Sequence, residues 1–373
     1  MSSVPAPGAA VTLEYAGRRS PARPSITLHN YLRTLAWTLS AVGVCCAGYA
    51  IEKYLVIWWL HWLPDNPAYR MFKNPAELPM RLFGLPHFVV GTMFLLSSKR
   101  MKGARSWLQL AGLAALGIGI CYAFHAAGAH SEPLAVLMFY FYFLIHGFRD
   151  EAFFYKSYGE MPRDSAATHE RIMAVLQGVM LGLLMSMIVP AYSIYGRQHA
   201  RYHSEALDMI FPANWPYVLR FLMLLGPMLV VAALALRRIA RQFPDGLRGL
   251  YAVHRPILLI FAISSGIILL SLVSGPWSFN VVVLMHFVGW YLFGRYQLAR
   301  FAPAAPPTSP WERIRKTPEG FTAFHIGLAV LFALLIAWSH YSTGKSGIIE
   351  FAFGSKSFFY WTIMHVTLSF FPR

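Results

Sequence analysis

The sequence has few charged side chains, and acidic ones are especially scarce. Charged residues make up 13% of the 373 residues, with 32 Lys and Arg against 16 Asp and Glu, and 57% of the residues are hydrophobic. Soluble domains carry roughly 25% charged residues, so this composition excludes an ordinary soluble protein. The sequence therefore predicts an all-α polytopic integral membrane protein built as a bundle of transmembrane helices.

Cysteine is scarce as well, because only Cys45, Cys46 and Cys121 occur and all lie in apolar segments. Their spacing lacks the Cys-x-x-Cys pattern, which argues against a thiolate metal site or a disulfide framework. Residues 1–31 lack the short apolar core of a signal peptide and are rich in Ser, Pro, Ala and Arg. We expect a disordered cytoplasmic tail there, followed by a single transmembrane domain over 32–373.

Apolar segments long enough to cross a bilayer, about 20 residues each, occur ten times. A proline-rich stretch near residues 302–310 is predicted to be a cytoplasmic linker between two of them. The ten predicted spans are 33–51 with an aromatic continuation to 63, 80–98, 106–128, 133–149, 172–194, 214–236, 253–273, 276–296, 320–341 and 355–372.

Basic residues are distributed unevenly over the loops that join these spans. Of the 32 Lys and Arg, 23 fall in the two termini and alternate loops, and 8 fall in the remaining loops. Positive loops prefer the cytoplasm, so both termini are expected there, with the chain in a bacterial inner (plasma) membrane. The basic residues form short clusters between apolar segments, which favours helix orientation over nucleic-acid binding.

Four histidines lie in closely similar apolar settings on predicted spans two, four, eight and ten. These spans all run from outside to inside in the predicted topology. An unpartnered buried imidazole carries a desolvation cost, and a metal ion can satisfy several at once. Hydrogen bonds to neighbouring backbone or hydroxyl groups are the alternative for each ring alone. We predict that these side chains bind one metal ion: His87, His146, His286 and His365.

Two acidic residues follow the apolar aromatic run that ends at His146. Asp150 is four residues beyond His146 and therefore shares its helical face, where its carboxylate is predicted to accept the second ring proton of that imidazole. Glu151 is the second acidic candidate for a catalytic role. The alternative is that Arg149, Asp150 and Glu151 form a charged cluster at the membrane surface.

Other histidines are weaker candidates. His125, in the sequence His-Ala-Ala-Gly-Ala-His that ends at His130, is predicted to be a fifth or outer ligand, although the His-x-x-His-His boxes of membrane desaturases are absent. His199 and His203 have zinc-pair spacing but lie in a polar loop. The remaining ones near span ends are interpreted as interfacial: His169, His254, His325 and His340.

The segments around the four apolar histidines carry a family resemblance. Four short segments resemble the motifs of Brp/Blh-type membrane dioxygenases. They are Gly-Leu-Pro-His ending at His87, Phe-Leu-Ile-His ending at His146 with acids four and five residues on, Leu-Met-His-Phe at His286 and Ile-Met-His at His365. That resemblance implies a non-haem iron held by histidines from several helices, and cleavage of a carotenoid. It is local, and the residues after His87 depart from the family pattern.

These observations favour a membrane oxidoreductase that uses non-haem iron and O2 on a lipid-soluble substrate, such as an isoprenoid, a carotenoid or an acyl chain. One alternative is a transporter or channel in which the histidines and Asp150 relay protons. Another is a haem-binding electron carrier with two histidines as axial ligands.

Overall fold

The structure is a computed structural model that describes most of the chain. Its described residues are 26–63, 65, 77–126, 142, 143, 145–147, 149, 150, 153, 154, 157, 166–195, 215–270, 277–301, 306–341, 352, 353 and 355–371. Within these ranges the regular structure is entirely helical, which confirms the all-α class. Among the described residues, six helices are long and apolar enough to cross a membrane: Ile26–Trp59, Leu78–Leu96, Ala104–Ala126, Leu222–Ala240, Leu247–Leu269 and Pro318–Ser339.

The helices fall where the apolar segments predict them. The described residues of predicted span four, together with residues up to 157, are also helical and are called here the 142–157 segment. The first helix continues into a π-helix over Ile51–Trp59, at the predicted aromatic continuation. In chain order the α-helices are α1 Ile26–Ala50, α2 Glu77–Leu96, α3 Ala104–Ala126, α4 Ala166–Tyr195, α5 Tyr217–Ala240, α6 Leu247–Leu269, α7 Trp277–Arg300, α8 Pro310–Lys316, α9 Pro318–Tyr341 and α10 Ser355–Ser369.

Four parallel segments form the centre of the bundle: α2, the 142–157 segment, α7 and α10. Along α7, His286 contacts Phe143 and Phe293 contacts Phe154, so the 142–157 segment and α7 advance in the same direction. The same segment meets α10 through a hydrogen bond between Tyr142 and Thr367 and, further on, through Arg149 over the ring of Phe370. Each of the four segments carries one of the four apolar histidines.

The close approach of these helices depends on a glycine in α2. A Cβ atom added at Gly84 would lie 2.8 Å from ring atoms of both Phe287 on α7 and Phe358 on α10. Real Cβ atoms do not come that close to neighbours, so a larger residue would force these rings, or the helices that carry them, to shift. Gly84 is three residues before His87 and so lies about one helical turn from it. The glycine therefore helps to set the distances between the histidine-bearing helices.

A second packing unit consists of α4, α5 and α6. Its apolar core is a separate cluster of seven buried residues, Ile172, Met173, Leu176, Ile239, Ala240, Leu250 and Ile257. Helix α6 also packs against α7 and α1, so the unit is joined to the central bundle. One contact between the two is the hydrogen bond between the hydroxyl groups of Tyr31 and Ser264.

The proline-rich stretch leads into the short helix α8. Ser309 caps this helix by accepting a hydrogen bond from the Glu312 amide, and Pro310 occupies the first turn. Hydrogen bonds from Lys316 and Thr308 hold the pKa of the Glu312 carboxyl down to about 2. Arg315 of α8 donates to the Ser97 carbonyl at 2.9 Å, just beyond the end of α2. The loop helix is thereby attached to the helix that carries His87.

Candidate metal centre

The structure brings the four predicted histidines together at one point. One nitrogen from each of His87, His146, His286 and His365 lies within 4.8 Å of the corresponding nitrogen of every other. The Nε2 atoms of His87 and His365 are 2.9 Å apart. The rings of His146 and His286 have centroids 5.0 Å apart. His87 and His146 are 2% exposed and His286 is 5% exposed, while His365 is half-buried.

Small and cyclic residues of α2 position two of these rings. Pro86 removes one helical hydrogen bond immediately before His87, because proline has no amide hydrogen. The ring of His87 then packs edge-on against Trp290 at 4.5 Å between centroids. Gly91 leaves room for His365, since a Cβ at Gly91 would lie 3.5 Å from that ring's Cε1 atom.

Ser369 determines which nitrogen of His146 carries the proton. The Ser369 hydroxyl donates its single hydrogen to the Val366 carbonyl at 2.6 Å. The His146 Nδ1 atom lies 2.9 Å from the same oxygen, which can then only accept, so Nδ1–H is the donor. The neutral ring therefore carries its lone pair on Nε2. Fixing a tautomer in this way is what the outer partners of metal-binding histidines do.

Asp150 occupies a different place from the predicted one. Its Oδ2 atom is 3.8 Å from Nε2 of His146, too far for a hydrogen bond, and is not at the Nδ1 atom that Ser369 contacts. The role of orienting His146 therefore belongs to Ser369. The carboxylate of Asp150 is buried, at 4% exposure. It lies beside the nitrogen that carries the lone pair, where it can offset positive charge, and this burial also argues against an exposed charge cluster.

His125, the one other predicted ligand that lies within the described residues, does not join the four rings. His125 is exposed at the end of α3, and its Nδ1 atom lies 2.9 Å from the Tyr360 hydroxyl on α10. Its predicted role as a fifth ligand is not supported by this position, because its ring is turned to a different part of α10. Glu151, His130, His199 and His203 lie outside the described residues.

The donor set fits a metal ion. Bonds from zinc to imidazole nitrogen are about 2.0–2.1 Å, so two ligands on opposite sides of an ion are about 4.2 Å apart. Nitrogens that already lie within 4.8 Å of one another need only small shifts to reach that separation. Both ring nitrogens of His286 and Nδ1 of His87 have no hydrogen-bond partner among the described residues. Buried imidazole nitrogens normally have a hydrogen-bond partner, and a bound metal ion would be the partner of one His286 nitrogen.

Three cavities touch this centre from different directions. A cavity of about 200 Å³ is lined by His87, His146, His365, Asp150, Ser369 and Thr92 among other residues. A small one of about 80 Å³ lies at His286, beside Asn30, Tyr31 and Thr34 of α1. The largest, about 540 Å³, is mostly apolar and reaches His87 from between α1, α2, α7 and α9. Small molecules therefore have space next to the histidines.

Three histidines interpreted from the sequence as interfacial are in fact buried. His169 of α4 and His254 of α6 are 2% and 1% exposed. Their rings stack with centroids 5.8 Å apart. His325 is 9% exposed and forms part of the wall of the largest cavity. The sequence did not predict this burial, because position near a span end does not show which way a side chain faces. The side chain of His340 is not among those described.

The chain matches no family model, no curated protein and no solved structure.

Proposed function

We propose that the chain binds a non-haem Fe2+ ion through His87, His146, His286 and His365 and uses O2 to oxidise a lipid-soluble substrate. The observation that supports this is the convergence of four imidazoles from four helices. We further propose ten membrane spans, both termini in the cytoplasm, and a bacterial inner membrane. The local resemblance to Brp/Blh-type dioxygenases agrees with the proposal.

Iron is favoured over zinc by the space beside the rings. Four protein ligands complete the tetrahedral coordination of zinc, and such closed sites are structural. An octahedral ion with four imidazole ligands keeps two positions for reactants. The cavities of about 200 and 540 Å³ share His87 as a wall residue, so reactants have room to approach from two sides.

Each residue then has a distinct part in the proposed site. The four rings bind the ion, Ser369 keeps His146 in the tautomer with its lone pair on Nε2, and Asp150 offsets part of the positive charge. Buried aromatic side chains, including Phe88 and Phe143, exclude water from the rings. Fe2+, when bound, supplies the electrons that activate O2. In the dioxygenase form of the reaction, one carbon–carbon double bond and one O2 give two carbonyl groups, and no external reductant is needed.

The arrangement disfavours a haem carrier. Two axial histidines must leave a wide flat slot for the porphyrin between them. Here the rings of His286 and His365 both lie close to those of His87 and His146, with centroid distances of 4.5–5.3 Å. Four imidazoles around one point occupy the plane that a porphyrin would need.

A proton relay is the second candidate function, and one contact favours it. The 2.9 Å separation of the two Nε2 atoms of His87 and His365 also fits a hydrogen bond between neutral imidazoles, in which one donates. A relay predicts proton movement by metal-free protein. The iron site predicts that chemistry depends on metal.

Oxygen uptake tests the proposed function. The full-length protein is purified anaerobically, loaded with Fe2+ and mixed with β-carotene or oleic acid in an oxygen-electrode chamber. We expect iron-dependent uptake with at least one of them, formation of carbonyl products, and no uptake by His286→Ala. Iron-loaded protein that consumes no O2 with either compound, together with proton flux in metal-free proteoliposomes, would overturn the oxygenase in favour of the relay.

A further inference from the structure

The largest cavity has a polar end and an apolar end. Its wall includes Trp37 of α1, Phe83 of α2 and Val330 of α9, all of them exposed on the side of the bundle. These three helices are among those apolar and long enough to cross a membrane, so the cavity opens sideways toward lipid. A ligand can therefore enter from the bilayer without crossing water.

Two arginines line the same cavity. Arg33 is the neighbour of Thr34, whose side chain packs against Gly289 of α7. Arg295 also lies on α7, about 9 Å beyond Gly289 at 1.5 Å per residue. Neither guanidinium pairs with a carboxylate among the described residues, and no acidic residue occurs in the described wall of the cavity. A guanidinium at the edge of an apolar cavity, with no carboxylate partner in the described part of the chain, is suited to bind a carboxylate or phosphate group.

A buried histidine supplies a further polar atom. His325 is 9% exposed, and its Nδ1 atom donates to the Phe321 carbonyl at 3.0 Å on its own helix. Its Nε2 atom has no hydrogen-bond partner among the described residues. The side chain of His325 also lines the cavity. Nearby, the Tyr291 hydroxyl donates to Thr322 at 3.0 Å and keeps its own lone pairs.

We propose that this cavity binds a long-chain amphiphile whose headgroup is an anion, held by Arg33 and Arg295, with its hydrocarbon chain passing His87. The apolar wall formed by Leu82, Phe83, Ala329 and Val330 accepts the chain, and His87 brings that chain next to the four histidines. The inference rests on the proposed function only in treating the amphiphile as the substrate. Binding itself needs neither metal nor turnover.

Direct binding tests the proposal on full-length protein in phosphatidylcholine nanodiscs, first without metal. Three probes with the same chain are compared: oleate, oleyl phosphate and oleyl alcohol. We expect one binding site per chain, with at least one anionic probe bound about tenfold or more tightly than the alcohol, since charge-assisted hydrogen bonds are the stronger ones. The tighter anion identifies the headgroup as carboxylate or phosphate.

Paired variants locate the site. Arg33→Gln combined with Arg295→Gln should weaken anionic probes by about tenfold or more and leave the alcohol unchanged. His325→Phe should weaken the anion by a smaller factor. Arg238→Gln, which changes an exposed arginine at the end of α5, should have no effect. Thermal unfolding of each variant shows whether it remains folded.

Two outcomes would overturn the proposal. One is equal binding of the alcohol and both anions. The other is a folded Arg33→Gln, Arg295→Gln double variant that binds the anions as tightly as the wild-type protein does. The failure of the proposed function is separate, because it would appear as normal anion binding by a protein that consumes no O2 when loaded with Fe2+.

Discussion

Two groups of buried histidines occur in the molecule, and their surroundings differ. His87, His146, His286 and His365 come from four segments and point to one place beside open cavities. His169 and His254 stack face to face in the second packing unit, next to Phe243 and its apolar cluster. Among the described residues, only the first group supplies three or more ligand atoms at metal-binding distances. Burial alone therefore does not make a candidate metal site, whereas convergence of several ligand atoms does.

The difference has a structural basis in the helix crossings. Gly84 and Gly91 of α2 allow aromatic and imidazole rings from α7 and α10 to come close to that helix. Near the stacked pair, α6 is instead locally distorted at His254, two residues before Pro256. That distortion places two rings together but recruits no further ligand among the described residues.

The largest expected effect comes from replacing one histidine in each group by leucine. His286→Leu should lose bound metal, because it removes one of four ligands, while His254→Leu should keep the wild-type metal content. Metal analysis of the two purified variants, each checked for folding by thermal unfolding, measures the contrast. Loss of metal from His254→Leu alone would reverse our assignment of the two groups.

Removal of the charge on Asp150 should have the next largest effect. Asp150→Asn keeps the shape of the side chain but leaves the positive ion with less compensation, so metal affinity should fall by about 100-fold, the upper end for such outer residues. Competition with a chelator of known affinity gives this value. An affinity within twofold of wild type would place the carboxylate outside the electrostatics of the site.

Ser369 offers a smaller and more specific effect. Ser369→Ala removes the acceptor that fixes the tautomer of His146, and we expect about a tenfold loss of metal affinity with little change in stability. Ser339→Ala is the matched control, because Ser339 makes a similar bond to the carbonyl three residues earlier and has no hydrogen bond to a histidine among the described residues. Equal affinities for the two variants would show that Ser369 does not position His146.

The smallest expected effect concerns helix packing. Gly84→Ala forces a Cβ against Phe287 and Phe358 and should destabilise the protein by about 1–3 kcal/mol, as overpacking does. Gly178→Ala in α4 meets nothing within 4 Å and should be neutral or stabilise by up to about 1 kcal/mol. Chemical unfolding in detergent compares them. A Gly84→Ala variant as stable as Gly178→Ala would mean that α2 is not held close to α7 and α10.

Much of the fold could be predicted from the sequence because long apolar runs can only form helices in a membrane. The four ligand candidates were also predictable, since each histidine interrupts such a run. Ser369 was not, because its partner His146 is 223 residues away and serine in a helix gives no pattern. The burial of His169, His254 and His325 was missed for the same reason: it depends on which helices become neighbours. His125 was included as a candidate because its sequence position does not show that its ring lies at Tyr360.

The most direct test of the central claim is the metal content of the wild-type protein, combined with its visible spectrum. The full-length chain is purified anaerobically after growth with added iron, and bound metals are counted by elemental analysis. We predict about one iron per chain and no haem absorption, because four imidazoles converge on a single point. A folded protein that holds less than about a tenth of an equivalent of any metal, even after incubation with Fe2+, would contradict the account.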